Sequence, residues 1–258
     1  AGAFNIGNFS CGFGVNTLMN NAGNSNTAFG IQALISPKGG FNSAFGASSL
    51  KNNDSGALNT AFGTRTLENN ISGSSNVAIG HRAMGDITEP GDNNTAVGYA
   101  ALRTNTGFGN VAIGYSTPRH LLFGNNNIFI GNETALNLER GSGNMFLGKV
   151  SVNPFSSTAN LAGNDLERTL IFADGVGNQR MTISNSGFLG LGLGNNVLAS
   201  NRFEVNGGVV VGKSFVTNST TAGFIAPANG MLIEGRLGIG TTAPANKVEI
   251  THGSAGFS

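Results

Sequence analysis

One run of this chain has the letters of a nucleotide site. Gly207-Gly208-Val209-Val210-Val211-Gly212-Lys213-Ser214 satisfies the pattern GxxxxGK[ST], in which backbone amides wrap phosphate and the lysine reaches its outer oxygens. That chemistry needs a compact loop followed by a helix whose N-terminus faces the anion. Here the loop interior is three valines, and the SFVTNSTTAGFIAPANG that follows is β-branched and broken by Gly and Pro. The expectation is that no nucleotide binds here. LGLGLG (Leu189 to Gly194) imitates a dinucleotide fingerprint, but no helix or acidic ribose ligand follows at the required distance. Its glycines read as close-packing positions near a threefold axis.

Other groups with chemical potential are scattered. Asp86, Glu89 and Asp92 lie in the longest turn and offer hard oxygen ligands for Ca²⁺, although a solvated acidic loop is the simpler reading. His81, His120 and His252 are isolated, and no GxSxG or paired-carboxylate arrangement accompanies them. The chain is therefore read as non-enzymatic and free of cofactors. Cys11 is the single cysteine, which excludes an internal disulfide framework. It falls in a column held elsewhere by Thr27, Thr60 and Val77, so a buried thiol is expected. His81, Tyr99 and Tyr115 each follow a glycine of the repeat described next, in three consecutive copies, and Arg65 and Arg82 hold the next position in two neighbouring copies. These five are the candidate ligand contacts, an aromatic and basic stripe suited to stacking on sugar rings. Thr64 and Asn132 share the aromatic column without such chemistry, as plain surface would.

The elements that must position these residues are copies of one motif. Asn26-Thr27-Ala28-Phe29-Gly30 returns as NSAFG, NTAFG, NVAIG, NTAVG, NVAIG, NIFIG and NMFLG, after a degenerate SCGFG at Ser10 to Gly14. The closing glycines at 14, 30, 46, 63, 80, 98, 114, 131 and 148 are 16 to 18 residues apart, a period that fits one coil of a solenoid. The residue before each glycine is large and apolar (Phe29, Phe45, Phe62, Ile79), and the one before that is small (Ala28, Ala44, Ala61, Ala78). Neighbouring strand residues point to opposite faces, so one face meets a roomy apolar space and the other a tight one. A second small-then-large pair follows each glycine, as in Ser49-Leu50 and Thr66-Leu67. Two short strands per coil are expected, with Asn, Ser, Gly and Asp filling the turns and the leading Asn bonding to its equivalents in a ladder. Pro118 and Ala135 stand in the large column while Phe129 and Phe146 enter the small one, which predicts a changed cross-section between 115 and 150.

Composition agrees with a solenoid. The 258 residues include 41 Gly and no Trp, and glycine costs about 1 kcal/mol against alanine inside a helix. Net charge is +1 with only 10% charged residues, which leaves no footprint for nucleic acid and no basic face for a membrane surface. No apolar run reaches the length of a membrane span. A coil of about seventeen residues encloses too little for a core of its own, and thin solenoids often need partner chains. The small-residue face is the expected site of close approach between chains in an obligate homotrimer.

The NTAFG and NVAIG coils with Asn-rich turns resemble the head repeats of trimeric autotransporter adhesins, and more closely the repeat regions of phage tail fibres and related bacterial trimeric fibre proteins. The resemblance covers residues 10 to 148. It implies a left-handed parallel β-roll, three chains side by side, and a role in attaching a phage particle or bacterial cell to a surface glycan or cell-surface protein, hence an extracellular location on a virion tail or bacterial surface. A passive spacer and a polysaccharide-degrading tail spike are the alternatives.

From Lys149 the period is lost. The expected order is a nine-coil region at 1–148, a transition with a β-hairpin at 149–186, and a Gly-rich β-prism-like or intertwined shaft at 187–258. RTLIFADGVGNQRMTIS reads as two strands about a Gly-rich turn. GFLGLG returns as GRLGIG, each followed by a strand-like segment, Arg202 to Val205 and Lys247 to Ile250. RLGIGTTAPANKVEI resembles segments of phage tail-spike and fibre shafts, often found upstream of a self-cleaving chaperone, which is expected to have been removed or to lie outside this stretch.

Overall fold

The computed structural model describes residues 9–86, 91–136, 138–150 and 165–192, together with short strands beyond 202. Among these residues every regular element is a strand and none is a helix. The chain forms two compact units, Ala1–Glu204 and Val205–Ser258.

The first unit is a parallel β-solenoid. Each motif supplies one three-residue strand: β1 (Cys11–Phe13), β2 (Thr27–Phe29), β3 (Ser43–Phe45), β4 (Thr60–Phe62), β5 (Val77–Ile79), β6 (Thr95–Val97), β7 (Val111–Ile113), β8 (Ile128–Ile130) and, after β9 (Arg140–Ser142), β10 (Met145–Leu147). Motif strands pair in parallel and in register, Ala28 beside Ala44 and Ala44 beside Ala61, so nine of them span about eight turns. The stack runs one strand beyond the last Asn-led motif. β10 pairs in parallel with β12 (Leu170–Ala173), and β9 pairs with β11 (Asp165–Glu167).

The interior reverses the expected use of the two strand faces. Ala28, Ala44, Ala61, Ala78, Ala96 and Ala112 are fully buried inside the coils, in one cluster with Leu18, Leu34, Leu50, Leu67, Met84 and Leu102. The small column is thus the inner wall, not a meeting face for other chains. The cause is width: one large side chain from the far segment fills so narrow a coil, which leaves the strand room for a single Cβ. Each buried Leu contributes about 1.5–3 kcal/mol. Where Phe129 and Phe146 replace Ala, they too are fully buried and meet edge to face at 5.5 Å. Ala135, opposite, has shrunk to make room, and Leu121 and Leu138 join the core, so the cross-section changes where the sequence says it should.

The second expected strand of each coil is absent from the motif coils. Its place is taken by a turn in which the residues two and four after the glycine are left-handed, for example Ser48 and Leu50 at φ +57° and +49°, and Arg65 and Leu67 at +58° and +49°. This alternation sends successive amides in opposite directions. The Arg65 N–H donates back to the Ala47 carbonyl at 2.9 Å, while the Leu67 N–H donates forward to that of Ala83 at 3.0 Å. These intercoil bonds offset the roughly 1–3 kcal/mol that a left-handed non-glycine residue costs, and the large side chain still points into the core. At the closing glycines nothing larger fits: a Cβ on Gly46, whose φ is +128°, would lie 2.4 Å from the Gly63 carbonyl oxygen.

The asparagine ladder is present. The Asn42 side-chain oxygen accepts the Asn59 N–H at 3.0 Å, that of Asn59 accepts the Asn76 N–H at 3.0 Å, and the series continues through Asn94, Asn110 and Asn127 to Asn144, whose oxygen accepts the Thr169 N–H. These asparagines are buried. Their amide nitrogens cross-brace the turns, Asn42 to the Gly56 carbonyl at 2.9 Å and Asn110 to that of Gly124 at 2.7 Å. Asn76 breaks the pattern, since its amide nitrogen is buried without a partner in the copy whose turn is longest.

Past the solenoid, β12 and β13 (Gln179–Ile183) form the expected antiparallel hairpin, and β13 pairs with β14 (Leu189–Leu191). β15 (Phe203–Val205) follows β14 in the sheet order. In the second unit β16 (Val209–Val211) runs parallel to β17 (Met231–Ile233), and β18 (Leu237–Ile239) parallel to β19 (Val248–Ile250).

Candidate functional site

With alanine turned inward, the large column faces out. Phe13 is 74% exposed, Phe62 58% and Phe29 39%, and Ile79, Ile113 and Ile130 continue the row. In-register pairing sets one such side chain above the next, and the rings of Phe29 and Phe45 stack 5.2 Å apart and only 6° from parallel. The first strand residue shares this outer face and trades size with the row: Thr27 and Ser43 accompany Phe, whereas Val77 and Val111 accompany Ile. The result is a continuous apolar strip on the outside of the sheet. The alternation of small and large in the motif gave the strip away, but only the narrowness of the coil says which side is out.

The aromatic stripe forms one column. The backbone beneath it is held by the Tyr99 carbonyl accepting the Ser116 N–H at 2.8 Å and the His81 carbonyl accepting the Ala100 N–H at 2.9 Å. The rings of His81 and Tyr99 stack at 5.4 Å, and those of Tyr99 and Tyr115 at 5.0 Å. Ring faces therefore lie mainly on one another, and what meets solvent is chiefly their edges and the phenol groups.

The two arginines are engaged within the rod. Arg65 donates to the Glu68 carboxylate at 2.6 Å, and that hydrogen bond raises the guanidinium above its ordinary value. Arg82 Nε lies 3.7 Å from the Asp86 carboxylate, which also pairs with Arg103 from the next coil. Arg103 lies 17 residues from its partner, about one coil along, and the pairing shows only once the coils are stacked. Asp86, the first calcium candidate, is thus flanked by two cations, which lowers its attraction for a metal ion. Asp92 accepts the Ser74 N–H at 2.7 Å, and Glu89 lies outside the described residues.

The remaining candidates are dispersed. Cys11 is exposed rather than buried, because the column it occupies belongs to the outer sheet face. His120 is exposed, and His252 lies outside the described residues. Within the phosphate-loop pattern Val209–Val211 form β16, an extended run where phosphate binding needs a curved loop, while Lys213 and Ser214 lie outside the described residues. A shallow recess of about 250 Å³ between coils is lined by Ile35, Ser36, Lys51, Asn52, Asn53 and Asp54.

No protein-family model, curated protein or solved structure matches this chain.

Proposed function

We propose that this chain is a segment of a homotrimeric attachment fibre, carried on a phage tail or bacterial surface, that is not an enzyme and that meets a glycan or surface protein of the target cell. The observation that carries the reading is the outer apolar strip. The coil interior is complete without it, yet large side chains run in a row along the sheet, and contiguous apolar surface of this kind marks an interaction site. A second copy is the partner whose side chains repeat at the same pitch. Three copies with their strips together would bury the row on all of them, and the resemblance to trimeric fibres supports that number.

Absolute mass by light scattering tests the assembly: a species near 3 × 26.2 = 78.6 kDa is expected, and a folded monomer at 26.2 kDa would overturn it. Glycan-array binding by the purified trimer tests attachment. The stacked rings of His81, Tyr99 and Tyr115 favour the second reading, a passive spacer, because stacked faces are withdrawn from sugar. A silent array from an intact trimer that also fails to bind target cells selects the spacer.

A further inference from the structure

We propose that Tyr99 and Tyr115 are a site of oxidative modification, at which a peroxidase joins them into an intrachain dityrosine that staples two successive coils. The chain has two tyrosines in 258 residues, and both fall one residue after a closing glycine, on adjacent coils. Parallel pairing of β6 with β7 sets Val97 beside Ile113, and the bond from the Ser116 N–H to the Tyr99 carbonyl holds the backbone together at the tyrosines themselves. The rings lie 5.0 Å apart, 11° from parallel. They are 45% and 52% exposed, open to an oxidant. Tryptophan is absent and the single cysteine sits in the first coil, so no other readily oxidised aromatic or thiol group lies beside the pair.

The chemistry balances with hydrogen peroxide as oxidant. Each phenol gives one electron and one proton to the peroxidase, leaving a phenoxyl radical. The two radicals couple through the ring carbons ortho to oxygen, forming one C–C bond. Each coupled carbon then releases its hydrogen as a proton while the phenoxyl oxygen takes one up, and aromaticity returns. In sum two aryl C–H bonds and one H₂O₂ become one aryl–aryl bond and two waters.

The test treats the full chain with peroxidase and limiting hydrogen peroxide. The expected product has lost the mass of two hydrogen atoms, shows dityrosine fluorescence, runs as a single chain on a denaturing gel, and yields on trypsin digestion a peptide joining residues 83–103 to 104–119. Y99F and Y115F, which keep the stacked rings, should each abolish the product. The native chain should form it several-fold faster than the same chain unfolded in urea. Coupling solely between chains, or no faster than in urea, would overturn the proposal.

Discussion

The side-chain oxygen of Asn59 accepts the backbone N–H of Asn76, one coil along, at 3.0 Å, while its amide nitrogen donates to the Gly73 carbonyl at 2.8 Å. One buried side chain thus ties the start of the next strand and the turn before it. Asn59→Leu orphans the Asn76 N–H and removes the brace, a loss of about 2–4 kcal/mol by equilibrium denaturation. Asn59→Asp keeps the acceptor but loses the donor and buries a carboxylate, whose folded pKa is raised above its unfolded value. Stability of that variant should rise as pH falls from 7 toward 4, because the folded state holds the proton more tightly. A variant whose stability is flat over that range would show that the position is open to water.

Ser43 and Ser48 make a matched pair. Ser43 lies in β3, in a column that Val occupies in β5 and β7, whereas Ser48 sits at φ +57°. Ser43→Val should be neutral or mildly stabilising. Ser48→Val puts a β-branched side chain in the left-handed region and should cost about 1–3 kcal/mol, while Ser48→Gly should cost nothing or stabilise slightly. Equal effects of valine at the two sites would contradict the alternating backbone.

Much of this was legible in the chain itself. The spacing of Gly30, Gly46 and Gly63 gave the coil, and the leading Asn gave the ladder, because both demand a particular residue at a particular backbone geometry. The direction of Ala44 and Phe45 was not legible, since alternation fixes only that they oppose each other. The left-handed Leu50 was hidden as well: apolar residues are read as strand or helix, and a Leu at positive φ carries no signature of its own. β12 was expected as a strand of the hairpin, but its place on the parallel stack escaped because Thr169 and Ala173 stand where Asn and Gly lead and close the other copies. The resting place of Asp86 needed the stacking of coils, which brings Arg103 to its carboxylate.

The two faces of β4 separate folding from association. Ala61 is fully buried and Phe62 is 58% exposed. Ala61→Leu overpacks the coil and should destabilise it by about 1–3 kcal/mol whatever the assembly. Phe62→Asp should leave the coil folded by circular dichroism yet shift the mass from 78.6 kDa toward 26.2 kDa. If Phe62→Asp leaves the mass of a trimer unchanged, the strip is not where the copies meet.

Acid should act first on the hairpin between β12 and β13. The Asp174 carboxylate accepts the Asn178 side-chain amide at 3.0 Å, the Asn178 and Val176 N–H groups at 2.9 and 3.1 Å, and the Arg180 guanidinium at 2.6 Å. These bonds, the Asn178 side chain foremost, hold its pKa well below the usual carboxylate range. The sign follows: a depressed folded pKa means a contribution complete above the unfolded value, about 3.9, and lost progressively as pH falls below it toward the folded one. Carboxyl carbon NMR should find Asp174 still ionised at pH 3, and hydrogen exchange should find the hairpin amides losing protection below about pH 4. Asp174→Asn should lower protection at neutral pH and remove this acid dependence. A carboxyl midpoint near 3.9 would mean that the turn does not hold the charged form in solution.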